Sequence, residues 1–188
     1  MKKQLYLFLL SSFILAPFYC PAQGFYPPSS GKAVIYFVQV TSYGSTVFEF
    51  FHYDRYIGYM KGKDYIRYEC EPGENLFWAS SENKEFLTAD LKAGGTYLVI
   101  VDVVTGFWKN HVGFTPISEN DTELFKRAKK VILNEPPFVT PQAKIEKENK
   151  KLQKFIAEEL EHYENETKNK YNFRHISADM ALSASAMK

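Results

Sequence analysis

Cysteine is nearly absent from this chain: Cys20 and Cys70 are the only two in 188 residues, which excludes a small fold held together by several disulfides. Neither sign of charge dominates. With 23 basic and 22 acidic side chains the formal net charge is +1, so no global field gathers nucleic acid, and no nucleic-acid partner is expected. Histidine is sparse as well, and His52, His111, His162 and His175 are scattered with no two at metal-ligand spacing, which argues against a zinc site. Gly94-Gly95 precedes a strand pattern instead of a helix, so it reads as a turn and not as a phosphate cradle. Ser80 and Ser81 lie outside any G-x-S-x-G setting, so there is no nucleophile elbow. No metal and no cofactor are expected, and the chain reads as non-catalytic.

The long hydrophobic run is confined to the start. Met1-Lys2-Lys3 is a positive n-region, Leu5 to Phe18 is apolar, and Cys20-Pro21-Ala22 places small residues at the third and first positions before a cut. This pattern predicts a signal peptide over residues 1–22, cleaved after Ala22, and export to the periplasm or outer envelope. An alternative makes Cys20 the lipid-modified cysteine of a lipoprotein, the one membrane attachment expected, although Pro17-Phe18-Tyr19 lacks the usual Leu and small residues before it. After cleavage at Ala22 the remaining Cys70 ends an alternating strand and reads as a small buried apolar side chain. Residues 23–31, with Pro27, Pro28, Ser29 and Ser30, read as a spacer.

What the chain has in excess is aromatic side chains, 16% of the total with 16 Phe and 13 Tyr, which suits half-buried pleated sheets. Short strand-like runs are predicted at 32–41, 46–53, 56–60, 65–70, 75–80, 85–91, 96–105 and 112–117, separated by turn residues such as Glu71-Pro72-Gly73-Glu74 and Ala93-Gly94-Gly95. In 65–70 the order Ile66, Tyr68, Cys70 against Tyr65, Arg67, Glu69 puts one face in the core and one in water. The runs 33–38 and 97–104 are apolar on both parities, so both of their faces need cover. A helix from Ser118 to Leu133 carries the stripe Leu124, Phe125, Ala128, Val131 and Ile132 and is expected to supply that cover. A second helix pattern, from Gln142 to about Tyr171, has a thin stripe of Ile145, Leu152, Phe155, Ile156, Leu160 and Tyr163 among Lys and Glu. It is expected to dock on the sandwich, a second copy of the helix being the alternative. The fold class is therefore mainly β: a small antiparallel β-sandwich over 32–117, a C-terminal two-helix extension over 118–171, and a disordered tail over 172–188.

The most suggestive stretch is the loop Phe107-Trp108-Lys109-Asn110-His111, which follows the most hydrophobic strand. Its side chains suit stacking on a sugar or anchoring to a partner; the competing reading is a plug at the open end of the sandwich.

Several stretches carry a family likeness: Gly31-Lys32-Ala33-Val34-Ile35-Tyr36-Phe37, Asp54-Arg55-Tyr56-Ile57-Gly58, Tyr68-Glu69-Cys70-Glu71-Pro72-Gly73-Glu74, Ser81-Glu82-Asn83, Leu91-Lys92-Ala93-Gly94-Gly95-Thr96-Tyr97 and Gly106-Phe107-Trp108. Over about residues 31–117 the chain resembles an uncharacterised bacterial family, domain of unknown function 2846, and more loosely PEGA-type surface modules. The resemblance implies a small β-sandwich in an envelope protein and carries over no functional residues. Its pattern departs at the first hairpin, where Asp54-Arg55-Tyr56 replaces an Asp-Gly-Lys type turn. The leading functional reading is a monomeric, exported accessory protein of the cell envelope that acts through contacts with an envelope protein or glycan. The alternative is a glycan- or peptide-binding module using Phe107 to His111.

Overall fold

A computed structural model describes residues 23–41, 46–105 and 110–188. The leader pattern over 1–22 and the turn at Ser42 to Gly44 lie outside the described residues. Eight strands form where short runs alternate between turn residues: β1 (Ala33–Val38), β2 (Val47–His52), β3 (Arg55–Lys61), β4 (Tyr65–Cys70), β5 (Gly73–Ser80), β6 (Lys84–Leu91), β7 (Thr96–Thr105) and β8 (Asn110–Ile117). Then come α1 (Thr122–Asn134), α2 (Gln142–His162), a π-helical turn at Tyr163–Thr167, β9 (Arg174–Ile176) and a 3₁₀ turn at Ala178–Met180.

The strands make two facing sheets, in the orders β4-β1-β7-β8 and β3-β2-β5-β6-β9. The sheets are mixed and not wholly antiparallel, because β1 pairs parallel with β7 and β6 pairs parallel with β9. The first parallel pair follows from the two doubly apolar strands taking the centre of their sheet, where both faces are covered. Between the sheets, Phe37 meets Phe50, Phe77 and Phe114 with ring centroids 5.3 to 5.7 Å apart. Ile66 and Cys70 belong to this inner core with Tyr68 packed against it, as the alternation in 65–70 implies, but the opposite face is not open to water, since Tyr65 is buried in the cluster under α1 and Arg67 and Glu69 are half-buried.

Each outer face carries a helix. Ala128, Val131 and Ile132 of α1 pack on Val34, Tyr36, Val38, Leu98 and Ile100, so the helix supplies the cover that the doubly apolar strands require. Its start is later than Ser118: the Asp121 carboxylate accepts from the Ser118 N–H at 2.7 Å and from its hydroxyl at 3.0 Å, and the helix opens at Thr122. On the other sheet, Ile156 and Tyr163 pack with Phe51, Tyr56, Trp78 and Phe86; the Trp78 ring stacks on Phe51 at 3.8 Å. The thin stripe of α2 thus docks within its own chain.

Two expectations need correction. Residues 23–31 are not a free spacer: the Gly24 N–H donates to Ile132 O at 2.9 Å, the Tyr26 N–H to the Tyr36 hydroxyl at 2.9 Å, and Arg67 to Pro27 O at 3.1 Å. The outer face of β1 offers an aromatic seat, with Phe25 5.2 Å from Tyr36, and a segment with rings uses it. Nor is 172–188 a disordered tail. β9 pairs with β6, Ile176 enters the inner core, the Leu182 N–H donates to Thr96 O at 2.9 Å, and Leu182 joins the α1 cluster. No periodicity marks this stretch because its two buried anchors serve different sheets.

Three of the four sheet edges are occupied. On β3, Asn149 of α2 takes both backbone groups of Tyr56, and the Thr140 hydroxyl accepts from the Tyr59 N–H at 3.2 Å. Gly58 is required there, since at φ +151° a Cβ would lie 2.8 Å from the Thr140 hydroxyl. On β4, Tyr65 O accepts from the Phe138 N–H at 2.8 Å. On β8, the Asn83 side chain accepts from the Val112 N–H at 2.7 Å and donates to its carbonyl at 3.0 Å. Occupied edges cannot recruit another strand.

Candidate functional site

Cys70 and His52 are both engaged by their surroundings. Cys70 is buried, and desolvation pushes its thiol up to about 12, so almost no thiolate forms near neutrality. His52 is half-buried, stacked 4.6 Å from Phe77. Its tautomer follows from its neighbours. Asn75 Nδ2 donates to Glu71 O at 3.1 Å and Gly73 O at 2.8 Å, so Asn75 Oδ1 must accept, and His52 Nε2, 2.8 Å away, carries the proton. Nδ1 of the neutral ring then accepts from the Tyr68 hydroxyl at 3.1 Å. Burial holds His52 below the usual histidine range, while the Asn75 bond opposes that shift. Both nitrogens of this half-buried ring are therefore already partnered within the fold.

Of the residues singled out from sequence, Phe107, Trp108 and Lys109 lie outside the described residues. Asn110 opens β8 opposite Thr105, and the next pair is His111 with Val104. His111 is half-buried. Among the described residues, no group of His, Cys, Asp and Glu is placed to hold a metal ion, and no helix is long and apolar enough to cross a membrane.

Among the described residues, concave surface is found where α2 ends against the second sheet. The π-helical turn at Tyr163–Thr167 widens the helix there; such turns recur at functional sites. Its Tyr163 ring stacks 4.5 Å from Phe86 and separates two grooves, of about 620 Å³ and about 530 Å³, both in the size range of small-ligand sites. The smaller is bordered by Tyr53, a non-glycine residue at φ +49°. Three bonds to β5 hold this strained residue: its N–H to Leu76 O at 2.9 Å, its hydroxyl to Glu74 O at 2.7 Å, and its carbonyl from Trp78 Nε1 at 2.9 Å. This places the irregularity of the first hairpin at Tyr53, one residue before the Asp54-Arg55-Tyr56 departure.

The larger groove runs between the last turn of α2, the segment Tyr171–Phe173 and the start of β6. Phe86 forms its floor, and Phe173 packs 5.7 Å from Phe86. Tyr171 stands at the rim, 55% exposed. Lys84 is paired with Glu159 at 2.9 Å and Lys154 with Glu158 at 3.6 Å. Glu85 is half-buried and its carboxylate makes no hydrogen bond among the described residues; burial raises its carboxyl and nearby Arg174 lowers it. Sequence reasoning missed this groove because its walls come from residues some ninety positions apart, Lys84 to Phe86 and Tyr171 to Arg174. The one local signal was aromatic: Tyr171-Asn172-Phe173 puts two rings at the junction of the expected helix and tail. No family model matches the chain and no match is found among curated proteins, so the site is read from its own geometry.

Proposed function

We propose that this chain is an exported accessory protein of a bacterial cell envelope, monomeric and non-catalytic, that works through contacts with envelope components in the periplasm or outer envelope. The observation that supports the non-catalytic part is the use of His52 and Cys70: His52 is half-buried with both ring nitrogens bonded, and Cys70 is buried with its thiol pushed up to about 12. Occupied edges on β3, β4 and β8 favour a monomer, since β-strand addition has no free partner there. Export rests on the leader pattern of residues 1–22, and the envelope on the resemblance over 31–117.

Mass spectrometry of the protein from its native envelope tests the address. A mature chain beginning at Gln23 supports cleavage after Ala22, a lipid adduct on Cys20 supports the lipoprotein form, and an intact chain confined to the cytoplasm refutes export. Deletion of the gene is expected to weaken envelope integrity. Turnover of a hydrolase or transferase panel by the purified protein, abolished by a point substitution, would refute the non-catalytic reading.

A further inference from the structure

The larger groove brings together side chains that make no hydrogen bond among the described residues, two of which, Glu85 and Arg174, interact only by charge. These are Glu85, Asn172 and Arg174, while the neighbouring Lys84, Glu158 and Glu159 are tied in ion pairs. The three groups are a carboxylate, an amide and a guanidinium. Each is planar with two or more hydrogen-bonding atoms on one edge, and their charges sum to zero. Beside them Tyr171 presents an exposed ring, centred 6.3 Å from the Phe173 ring, above an aromatic floor.

Each feature selects against a class of ligand. A peptide held by its backbone needs an open strand edge; three of the four are filled by Asn149 with Thr140, by Phe138 and by Asn83, and the fourth, β9, is only three residues long. A phosphate or a strongly cationic side chain needs a surplus of one charge, and these three groups have none. A sugar offers vicinal hydroxyls that both donate and accept, spaced for planar bidentate groups, and an apolar ring face that lies on an aromatic side chain. We infer that the groove between the end of α2 and β6 binds a neutral oligosaccharide, with Tyr171 as the stacking platform and Glu85, Asn172 and Arg174 as its hydroxyl partners. This deepens the contact reading above and rests on it, because it names what the protein contacts. The half-buried carboxylate of Glu85 fits the role, since sugar hydroxyls would replace hydration it has lost.

The test is an array of immobilised neutral and acidic oligosaccharides, including chitotetraose and a peptidoglycan disaccharide, with a parallel panel of basic and acidic peptides, probed with the chain from Gln23 to Lys188. At least one neutral sugar is expected to be retained. Tyr171→Ala should weaken that binding about tenfold or more and Glu85→Gln severalfold. Both positions border the groove away from the main core, so melting should be unchanged, and circular dichroism checks that each variant is folded. Failure to retain any neutral sugar overturns the inference, as does sugar binding indifferent to both substitutions, or a Glu85-dependent preference for basic peptides. None of these results bears on the envelope phenotype of the deletion, so failure of the sugar site and failure of the contact reading are told apart.

Discussion

Asn149 of α2 pairs with Tyr56 of β3 as another strand would: its Oδ1 accepts from the Tyr56 N–H at 2.9 Å and its Nδ2 donates to the Tyr56 carbonyl at 3.0 Å. One side-chain amide thereby satisfies an edge strand and fixes the height of the helix on the sheet. Asn149→Ala leaves both Tyr56 groups without their partner and is expected to cost about 1–3 kcal/mol. Urea unfolding measures it, and faster amide exchange should be confined to β3 and α2. A loss below about 0.3 kcal/mol would mean that the apolar stripe of α2 holds the helix without this bond.

The C-terminal segment should act as a strap joining the two sheets. Ile176 is 1% exposed in the inner core and Leu182 7% exposed beneath α1. Ile176→Ala is expected to cost about 2–5 kcal/mol, and removal of residues 172–188 at least as much, because it also uncovers the edge of β6. Thermal and urea unfolding of the two variants checks this. A truncated chain that melts with the full-length protein would show that the segment rests on the surface without load.

Gln39 is expected to be a site of stored instability. It is fully buried, two residues beyond Phe37, and among the described residues neither its Oε1 nor its Nε2 has a hydrogen-bond partner. Gln39→Met keeps the length of the side chain and removes the buried amide, so it should stabilise the protein by about 1–3 kcal/mol. The midpoint of urea unfolding should rise at constant slope. A fall would show that the amide has a role in the interior.

His52 sets an acid limit on stability. Its folded pKa lies below the unfolded value of about 6.5, so the unfolded chain binds the extra proton first. Its contribution is fully present above that value and is lost as pH falls toward and through the depressed folded pKa. Stability measured from pH 8 down to 5 should therefore decline more steeply in the wild type than in His52→Gln. Parallel curves would show that His52 titrates alike in both states.

Much of this architecture is local and was therefore legible in the sequence. The eight strand positions follow from alternation between turn residues, and 65–70 and 96–105 match their strands end to end. That β1 and β7 need two covers, and that Ala128, Val131 and Ile132 supply one, follows from apolar periodicity alone. Periodicity reports which face of an element is apolar; it does not name the element that will cover it. Hence the parallel pairing of β1 with β7, the seating of residues 23–31 on Tyr36, and the two anchors Ile176 and Leu182 appear only in the tertiary structure. The groove belongs to the same class, since Glu85 and Tyr171 share a wall only because α2 docks on Trp78 and the chain then turns back along β6. Short-range pattern determined the elements, while the pairing of distant segments, decided by which buried surfaces fit together, placed the site.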